Sequence, residues 1–220
     1  MPENEEKIRA VREKLLQWFE INGRDFPWRR TRDPYRILIA EIMLQRTKAE
    51  QVVPVYEEFI RHFPDPESLA RAGMEAVRAF FSKLGLLWRA DLVVRLAGEL
   101  VKRFGGSPPP EREKLLSLPA VGDYMADAVL SFAYGMDVAV VDSNVCRVLR
   151  RIFGFKPKGE ARRDRRFREL AMKLVPHGKS REFNWAMIDF ASEVCTPRKP
   201  KCRECLLKSI CVYAGGEGNV

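Results

Sequence analysis

The chain has 220 residues, of which 46% are apolar and 31% charged, with 14 Gly and 14 Pro. This composition excludes a disordered chain and a collagen-like or low-complexity chain. No apolar run approaches the roughly 18 residues that cross a bilayer. The formal net charge of +9 favours a polyanionic partner, although a basic surface kept for solubility accounts for the charge equally well.

The first ten residues, MPENEEKIRA, are acidic and lack an apolar core, so we expect no signal peptide. A soluble, cytosolic protein is expected. Asn and Gln are scarce beside the many charged side chains, which favours a thermophilic source.

Apolar residues recur at three- and four-residue steps along most of the chain, which is the helical period. These stripes lie at residues 8–19, 52–60, 77–84, 88–105, 167–174 and 185–194. The apolar/polar alternation typical of strands is almost absent, and residues 138–141 are expected to form a buried connector or a helix edge. The sequence therefore predicts an all-α fold of about ten helices joined by short loops.

Four of the five cysteines lie close together, in the pattern C-x6-C-x2-C-x5-C: Cys195, Cys202, Cys205 and Cys211. Four thiolates at this spacing need a shared positive centre, and zinc would suit them chemically. A disulfide pair is disfavoured because the chain has no secretory feature. Between the cysteines lies a basic collar suited to phosphates, made of Arg198, Lys199, Lys201 and Arg203.

A turn and an acidic residue stand out in the middle of the chain. Leu118-Pro119-Ala120-Val121-Gly122 lies between predicted helical segments at 111–117 and 123–134, so it indicates either a helix-hairpin-helix or a simple interhelical turn. Gly122 is expected to adopt backbone angles barred to other residues, and the N–H groups that open the next helix form an anion site. Asp142 begins another predicted helix, where the helix dipole favours a carboxylate.

The hairpin, the acid and the cysteine loop, in this order and spacing, resemble the helix-hairpin-helix DNA glycosylases of the endonuclease III superfamily over nearly the whole chain. Residues 24–29, 33–35 and 41–47 resemble the branch that holds adenine-mismatch and thymine–DNA mismatch glycosylases. Arg46, residues 85–90 and residues 176–190 are closer to the thymine-mismatch enzymes.

The resemblance implies a two-domain fold. A six-helix domain at 28–137 would carry the hairpin, and residues 1–27 would join 138–220 in a helical iron–sulfur domain with its cluster loop at 195–211. The four cysteines would hold a structural [4Fe–4S] cluster. The extruded base would occupy a cleft between the domains. Since the chain ends soon after Cys211, we expect it to lack the C-terminal domain with which adenine glycosylases commonly recognise 8-oxoguanine.

The resemblance also implies three catalytic residues. Asp142 would stabilise the oxocarbenium character of the sugar as the base leaves. Glu41 lies among apolar residues, which raises the pKa of a carboxyl group unless a cation meets it; it would hydrogen-bond or protonate the extruded base, or else form a buried ion pair with an arginine. Tyr124 occupies the position of the Schiff-base lysine of bifunctional relatives, and no lysine lies between Lys114 and Lys156, so a monofunctional enzyme is predicted.

Six residues are expected to contact DNA. Gln45 would fill the space that the extruded base leaves, with Leu86 on a second loop as its helper, although Gln45 could be an ordinary polar helix-end residue. Asn144 would orient Asp142 or a water, or cap its own helix. The remaining candidates are Arg46, Gly122 and Lys199.

The resemblance predicts removal of thymine or uracil mispaired with guanine in double-stranded DNA. The enzyme would act as a monomer, away from membranes, at the nucleoid of a prokaryote, and an abasic-site endonuclease would act downstream. Two alternatives remain: excision of adenine from A·G or A·8-oxoguanine pairs, and a non-catalytic iron–sulfur module that only binds DNA. The presence of both Asp142 and Glu41 argues against the module.

Overall fold

The structure is a computed structural model, and it describes residues 5–216 with the exception of the side chain at position 162. Over that range the chain forms eleven α-helices and no strand, which confirms the all-α prediction. The helices are α1 Glu5–Asn22, α2 Pro34–Met43, α3 Ala49–His62, α4 Pro66–Ala70, α5 Met74–Lys83, α6 Ala90–Phe104, α7 Arg112–Leu116, α8 Asp123–Phe132, α9 Ser143–Phe153, α10 Arg165–Leu174 and α11 Ser180–Glu193.

Two helices differ from what the apolar pattern predicts. Helix α11 begins at Ser180, five residues before the predicted start at Trp185. The apolar pattern misses its first turn because that turn carries polar side chains. Helix α4 has only five residues and no apolar stripe. It forms because Asp65 accepts a hydrogen bond from the backbone N–H of Ser68 at 2.7 Å in a capping box, a local signal independent of periodicity.

The chain divides into two compact units, Asp25–Tyr134 and Met1–Arg24 with Gly135–Val220. The first, here called the hairpin unit, contains α2 to α8. In it α2 packs against α8 and α3, and α4 and α5 pack against α6. It therefore holds seven helices, two of them only five residues long, where the resemblance implied six.

The second unit, here called the cysteine-loop unit, is built on helix α11. Helix α11 packs against α1 and α9, while α10 packs against α1 and α9. Its core includes Leu15, Leu149, Phe167 and Phe190, each at most 1% exposed. The connector at 138–141 has neither helix nor strand, and its two central residues are buried, as expected for a buried connector.

No helix within residues 5–216 combines the length and the apolar character that crossing a bilayer requires.

Candidate active site and nucleic-acid interface

Asp142 is the N-cap residue of α9, with an extended backbone (φ −116°, ψ −175°). One carboxylate oxygen, Oδ1, accepts a hydrogen bond from the backbone N–H of Val145 at 2.7 Å. The other, Oδ2, accepts one from the side-chain Nδ2 of Asn144 at 2.7 Å. Both oxygens are thus bound by donors at the start of a helix, which fixes the position of the carboxylate.

A relay of side chains connects Asp142 to the start of the cysteine loop. Asn144 turns its Oδ1 towards Arg147, whose Nη1 donates to it at 2.8 Å. The same guanidinium donates from Nε to the carbonyl of Cys195 at 3.0 Å and from Nη2 to the carbonyl of Ala191 at 2.9 Å. Any shift of the cysteine loop would therefore pull on Arg147 and, through Asn144, on Asp142.

The connector that leads into Asp142 is fixed by Asn184, which is 3% exposed on α11. Its Oδ1 accepts a hydrogen bond from the N–H of Val140 at 3.0 Å, and its Nδ2 donates to the carbonyl of Val138 at 2.8 Å. Because this buried amide hydrogen-bonds both a backbone N–H and a backbone carbonyl of the connector, it fixes the path of the connector. Asn184 is thus a positioning residue for the acid.

Arg147 and Asn184 were absent from the candidates drawn from the sequence. A weak signal existed for Arg147, which follows Asp142 by five residues on a predicted helix, but its partner Cys195 lies 48 residues further on. Asn184 was part of a motif that supported the resemblance, and only the structure shows which backbone it binds.

The four clustered cysteines line one small, apolar cavity, and each is a free thiol. Burial raises the pKa of the Cys205 and Cys211 thiols, and repulsion from the other cysteines raises it further. Within the part of the chain that the structure describes, no three His, Cys, Asp or Glu side chains lie close enough to hold a single metal ion. Four thiols around one cavity are a donor set that fits an iron–sulfur cluster.

A buried arginine on α9 fastens both ends of the cysteine loop. Arg151 donates from Nη1 to the carbonyl of Thr196 at 2.7 Å and to Sγ of Cys195 at 3.4 Å. Its own carbonyl lies 3.3 Å from Sγ of Cys211 and accepts a hydrogen bond from the N–H of Tyr213 at 3.0 Å. Lys199 is exposed on this loop, as are the three other basic residues of the collar.

The hairpin turn between α7 and α8 leaves the start of α8 open. Gly122 is its N-cap residue, and no side chain caps the helix. The expectation that Gly122 needs a left-handed backbone is wrong, because its φ is −108° and a Cβ there would meet nothing within 4 Å. The left-handed residue is Ala120, with φ +64°. Gly122 is exposed and has no side chain to cap the helix, so this helix start suits a phosphate.

An ion-pair bridge holds the two hairpin helices together. Arg112 on α7 pairs with Asp123 and, at 3.0 Å, with Asp127 on α8, whose side chain is 5% exposed. Tyr124, the second residue of α8, is half-buried beside this open helix start.

Glu41 is buried (5% exposed) on α2. The helix is apolar around it, and Leu38, Ile42 and Met43 are fully buried. Helix α2 begins at Pro34, where Asp33 accepts hydrogen bonds from the N–H groups of Tyr35 and Arg36. Its last turn leads into Gln45 and Arg46.

Two loops of the hairpin unit meet through one buried arginine. Arg89 (9% exposed), at the start of α6, donates a hydrogen bond from Nη2 to Oε1 of the half-buried Gln45. Arg46 is exposed and has a left-handed backbone, φ +62°. Burial lowers the pKa of Arg89, and repulsion from Arg46 lowers it further. Gln45 and the second loop are therefore neighbours, as the wedge hypothesis requires.

Leu86 does not suit the role of helper wedge as the structure places it. Its side chain is only 5% exposed, because its backbone N–H bonds the carbonyl of Phe81 at 2.9 Å and turns the chain inwards after Gly85. The apolar side chains that this loop exposes are Leu87 and Trp88, at 51% and 61%.

The hairpin turn that joins α7 and α8 places the chain in the class of helix-hairpin-helix proteins. The family described as the HhH-GPD superfamily of base excision DNA repair proteins matches residues 39–177. The chain belongs to this family.

Relatives match the chain over nearly its full length. A thymine-DNA glycosylase of Aeropyrum pernix is 42% identical, with 94% of this chain and 95% of the relative covered. A thymine/uracil-DNA glycosylase of Pyrobaculum aerophilum is 41% identical, with 92% and 90% covered. The solved structure of a thermostable thymine-DNA glycosylase superposes with a TM-score of 0.92 at 37% identity, covering 96% of this chain and 98% of that one.

One relative with another name was also found. The adenine DNA glycosylase of Homo sapiens is 34% identical over 93% of this chain, and the match covers 39% of that protein.

Proposed function

We propose that this protein is a monofunctional DNA glycosylase that hydrolyses the N-glycosidic bond of thymine or uracil mispaired with guanine. The observation that carries the proposal is the carboxylate of Asp142, which two hydrogen bonds of 2.7 Å fix at the N-terminus of α9. Two relatives that are 42% and 41% identical over more than 90% of this chain are named thymine-DNA glycosylase and thymine/uracil-DNA glycosylase, which supports the choice of base.

In the proposed reaction the bond between C1′ and the base nitrogen breaks, and its electron pair leaves with the base. The sugar then carries positive charge, and the anionic Asp142 stabilises it. Water adds to C1′ and loses a proton, and the departing base gains one. Glu41, buried on an apolar helix, hydrogen-bonds the base or supplies that proton. The product is an abasic site.

The reaction is proposed to stop at the abasic site because Tyr124 stands where a lysine would be needed to attack the sugar. Borohydride added during turnover should therefore trap no covalent protein–DNA adduct. A trapped adduct would contradict the monofunctional assignment and leave base release untouched.

We propose that Cys195, Cys202, Cys205 and Cys211 hold a [4Fe–4S] cluster. Such a cluster would tie the cysteine loop together through its four iron–sulfur bonds, and it takes no part in the hydrolysis. The four free thiols around one cavity support this. The purified protein should contain about four irons and absorb broadly in the visible range. Cys202→Ser should lose both properties, whereas Cys146→Ser, which changes a cysteine outside the loop, should keep them. Zinc in place of iron would refute the cluster.

The proposed substrate is mismatched double-stranded DNA, bound by a monomer at the nucleoid of a prokaryote and passed on to an abasic-site endonuclease. Labelled duplexes with T·G, U·G, A·G or A·8-oxoguanine, incubated with the protein and then treated with alkali, test the choice of base. Cleavage at T·G and U·G alone is expected. Cleavage at the adenine duplexes alone would favour an adenine glycosylase, to which the 34% identity with the human relative points. No cleavage of any duplex would favour a DNA-binding module.

A further inference from the structure

Trp88 is the most exposed tryptophan of the chain and has no role in the chemistry described so far. It is 61% exposed, whereas Trp28 and Trp185 are 5% and 8% exposed. Leu87 beside it is 51% exposed. These two neighbouring side chains form an apolar surface, and a ligand that covered it would gain free energy.

The charges around the patch restrict what that partner can be. The guanidinium of Arg89 lies 4.3 Å from the centre of the Trp88 ring, and Arg46 is close enough to lower the pKa of Arg89. Among residues 5–216, neither Arg46 nor Arg89 has a carboxylate partner. An apolar, flat surface beside two uncompensated cations suits a ligand with flat faces and negative charge, which describes a nucleotide chain better than an apolar protein segment.

The geometry of the loop holds the ring in place. The 3-10 turn at Leu87–Arg89 closes with a hydrogen bond from the N–H of Arg89 to the carbonyl of Leu86 at 2.8 Å. Arg89 covers one side of the Trp88 ring and is itself held by Oε1 of Gln45. A ring fixed in this way loses little freedom when a base stacks on its other side.

We propose that Trp88 binds DNA by stacking on an unpaired base next to the position where Gln45 enters the helix. A base in an intact duplex has both faces covered, so the contact forms only where the duplex is opened. The proposal rests on the proposed function for the source of the opened duplex. Trp88 would then favour DNA with a disrupted pair over matched DNA, independently of Asp142 and its chemistry.

The test is binding to a duplex that carries a stable abasic-site analogue, which supplies an unpaired base without turnover. Truncating a base-stacking aromatic costs about 1–3 kcal/mol, so Trp88→Ala should weaken this binding roughly 5- to 150-fold. Binding to the matched duplex should change less than about twofold, and Trp88→Phe should keep most of the affinity. Ile21→Ala, at another apolar side chain that is 85% exposed, is the matched control and should bind like the parent protein.

Fluorescence gives a second readout that does not depend on a deletion. The abasic duplex should quench the tryptophan emission of the parent protein, and Trp88→Phe should abolish most of that quenching. Equal losses of affinity for both duplexes, or quenching that survives in Trp88→Phe, would overturn the proposal. A lowered melting temperature of Trp88→Ala with unchanged affinity would also overturn it, since the ring would then only cover Arg89. If the protein excises no base but Trp88 behaves as expected, the proposed function fails and this inference stands.

Discussion

Helix α8 starts after the hairpin turn, and helix α9 starts after the buried connector. Both starts present the positive end of a helix dipole, but to different anions. Helix α8 begins after Gly122, which has no side chain to cap the helix, so this start suits an outside anion. Helix α9 begins after Asp142, whose carboxylate already binds the N–H of Val145. The same dipole thus suits a phosphate in one place and fixes a protein carboxylate in the other. The capping residue therefore sets whether a helix start suits an outside anion or holds a carboxylate of the protein.

A large effect is expected when the carboxylate of Asp142 loses its hydrogen bond from Asn144. Asn144→Ala removes the hydrogen bond to Oδ2 of Asp142 and the link to Arg147. A hydrogen bond to a charged group is worth about 1.5–3 kcal/mol, so base release in single-turnover kinetics should slow roughly 10- to 150-fold. Affinity for the mismatched duplex should stay within about threefold. A release rate equal to that of the parent protein would show that Asp142 needs no support from Asn144.

A second prediction concerns the start of α8, where Gly122→Asp would add a capping side chain. Gly122→Asp fits without strain, because the backbone is extended and a Cβ has room. The new carboxylate would repel the phosphate, and a contact worth about 1.4 kcal/mol predicts roughly tenfold weaker binding to matched DNA at low salt.

The control is Gly122→Asn, which caps α8 without adding charge. It would occupy the same N–H groups, so it should also weaken DNA binding, but less than Gly122→Asp does, and both variants should be as stable as the parent or a few tenths of a kcal/mol more stable. Equal binding by Gly122→Asp would mean that no phosphate lies at this helix start.

The smallest predicted effect concerns the strain in the hairpin turn. Ala120 has φ +64°, where a residue with a Cβ is disfavoured by about 1–2 kcal/mol. Replacing Ala120 by glycine would relieve this strain, but part of the gain in stability is lost because glycine has more conformational freedom in the unfolded chain. Ala120→Gly should therefore raise the free energy of unfolding by about 0.5–1 kcal/mol, measured by thermal or denaturant unfolding. A less stable variant would show that packing of the Ala120 methyl outweighs the strain.

Local features of the sequence were predictable, and contacts between distant segments were not. The helical stripes and the helix start at Asp142 depend on neighbours within a few residues, and the structure shows both helices and cap. The spacing of the four cysteines likewise placed them around one cavity.

What could not be predicted depends on tertiary contacts. Leu86 is buried because the chain turns inwards there, and the spacing of apolar residues does not predict the direction of that turn. The left-handed backbone falls on Ala120 and not on Gly122, because the turn geometry sets it and residue type only favours it. Asn184 and Arg147 act on backbone more than 40 residues away, so their roles appear only in the folded chain.

Single-turnover release of thymine from a T·G duplex measures whether the carboxylate of Asp142 stabilises the sugar as the base leaves. Asp142→Asn should slow release at least 10²- to 10³-fold while the duplex still binds, since one electrostatic group of this kind contributes roughly that much. Asp164→Asn is the matched control, because Asp164 also caps a helix of the cysteine-loop unit, α10, by accepting from the N–H of Arg166 at 3.1 Å. It should release thymine at close to the parental rate. Release by Asp142→Asn at the rate of Asp164→Asn would contradict the account.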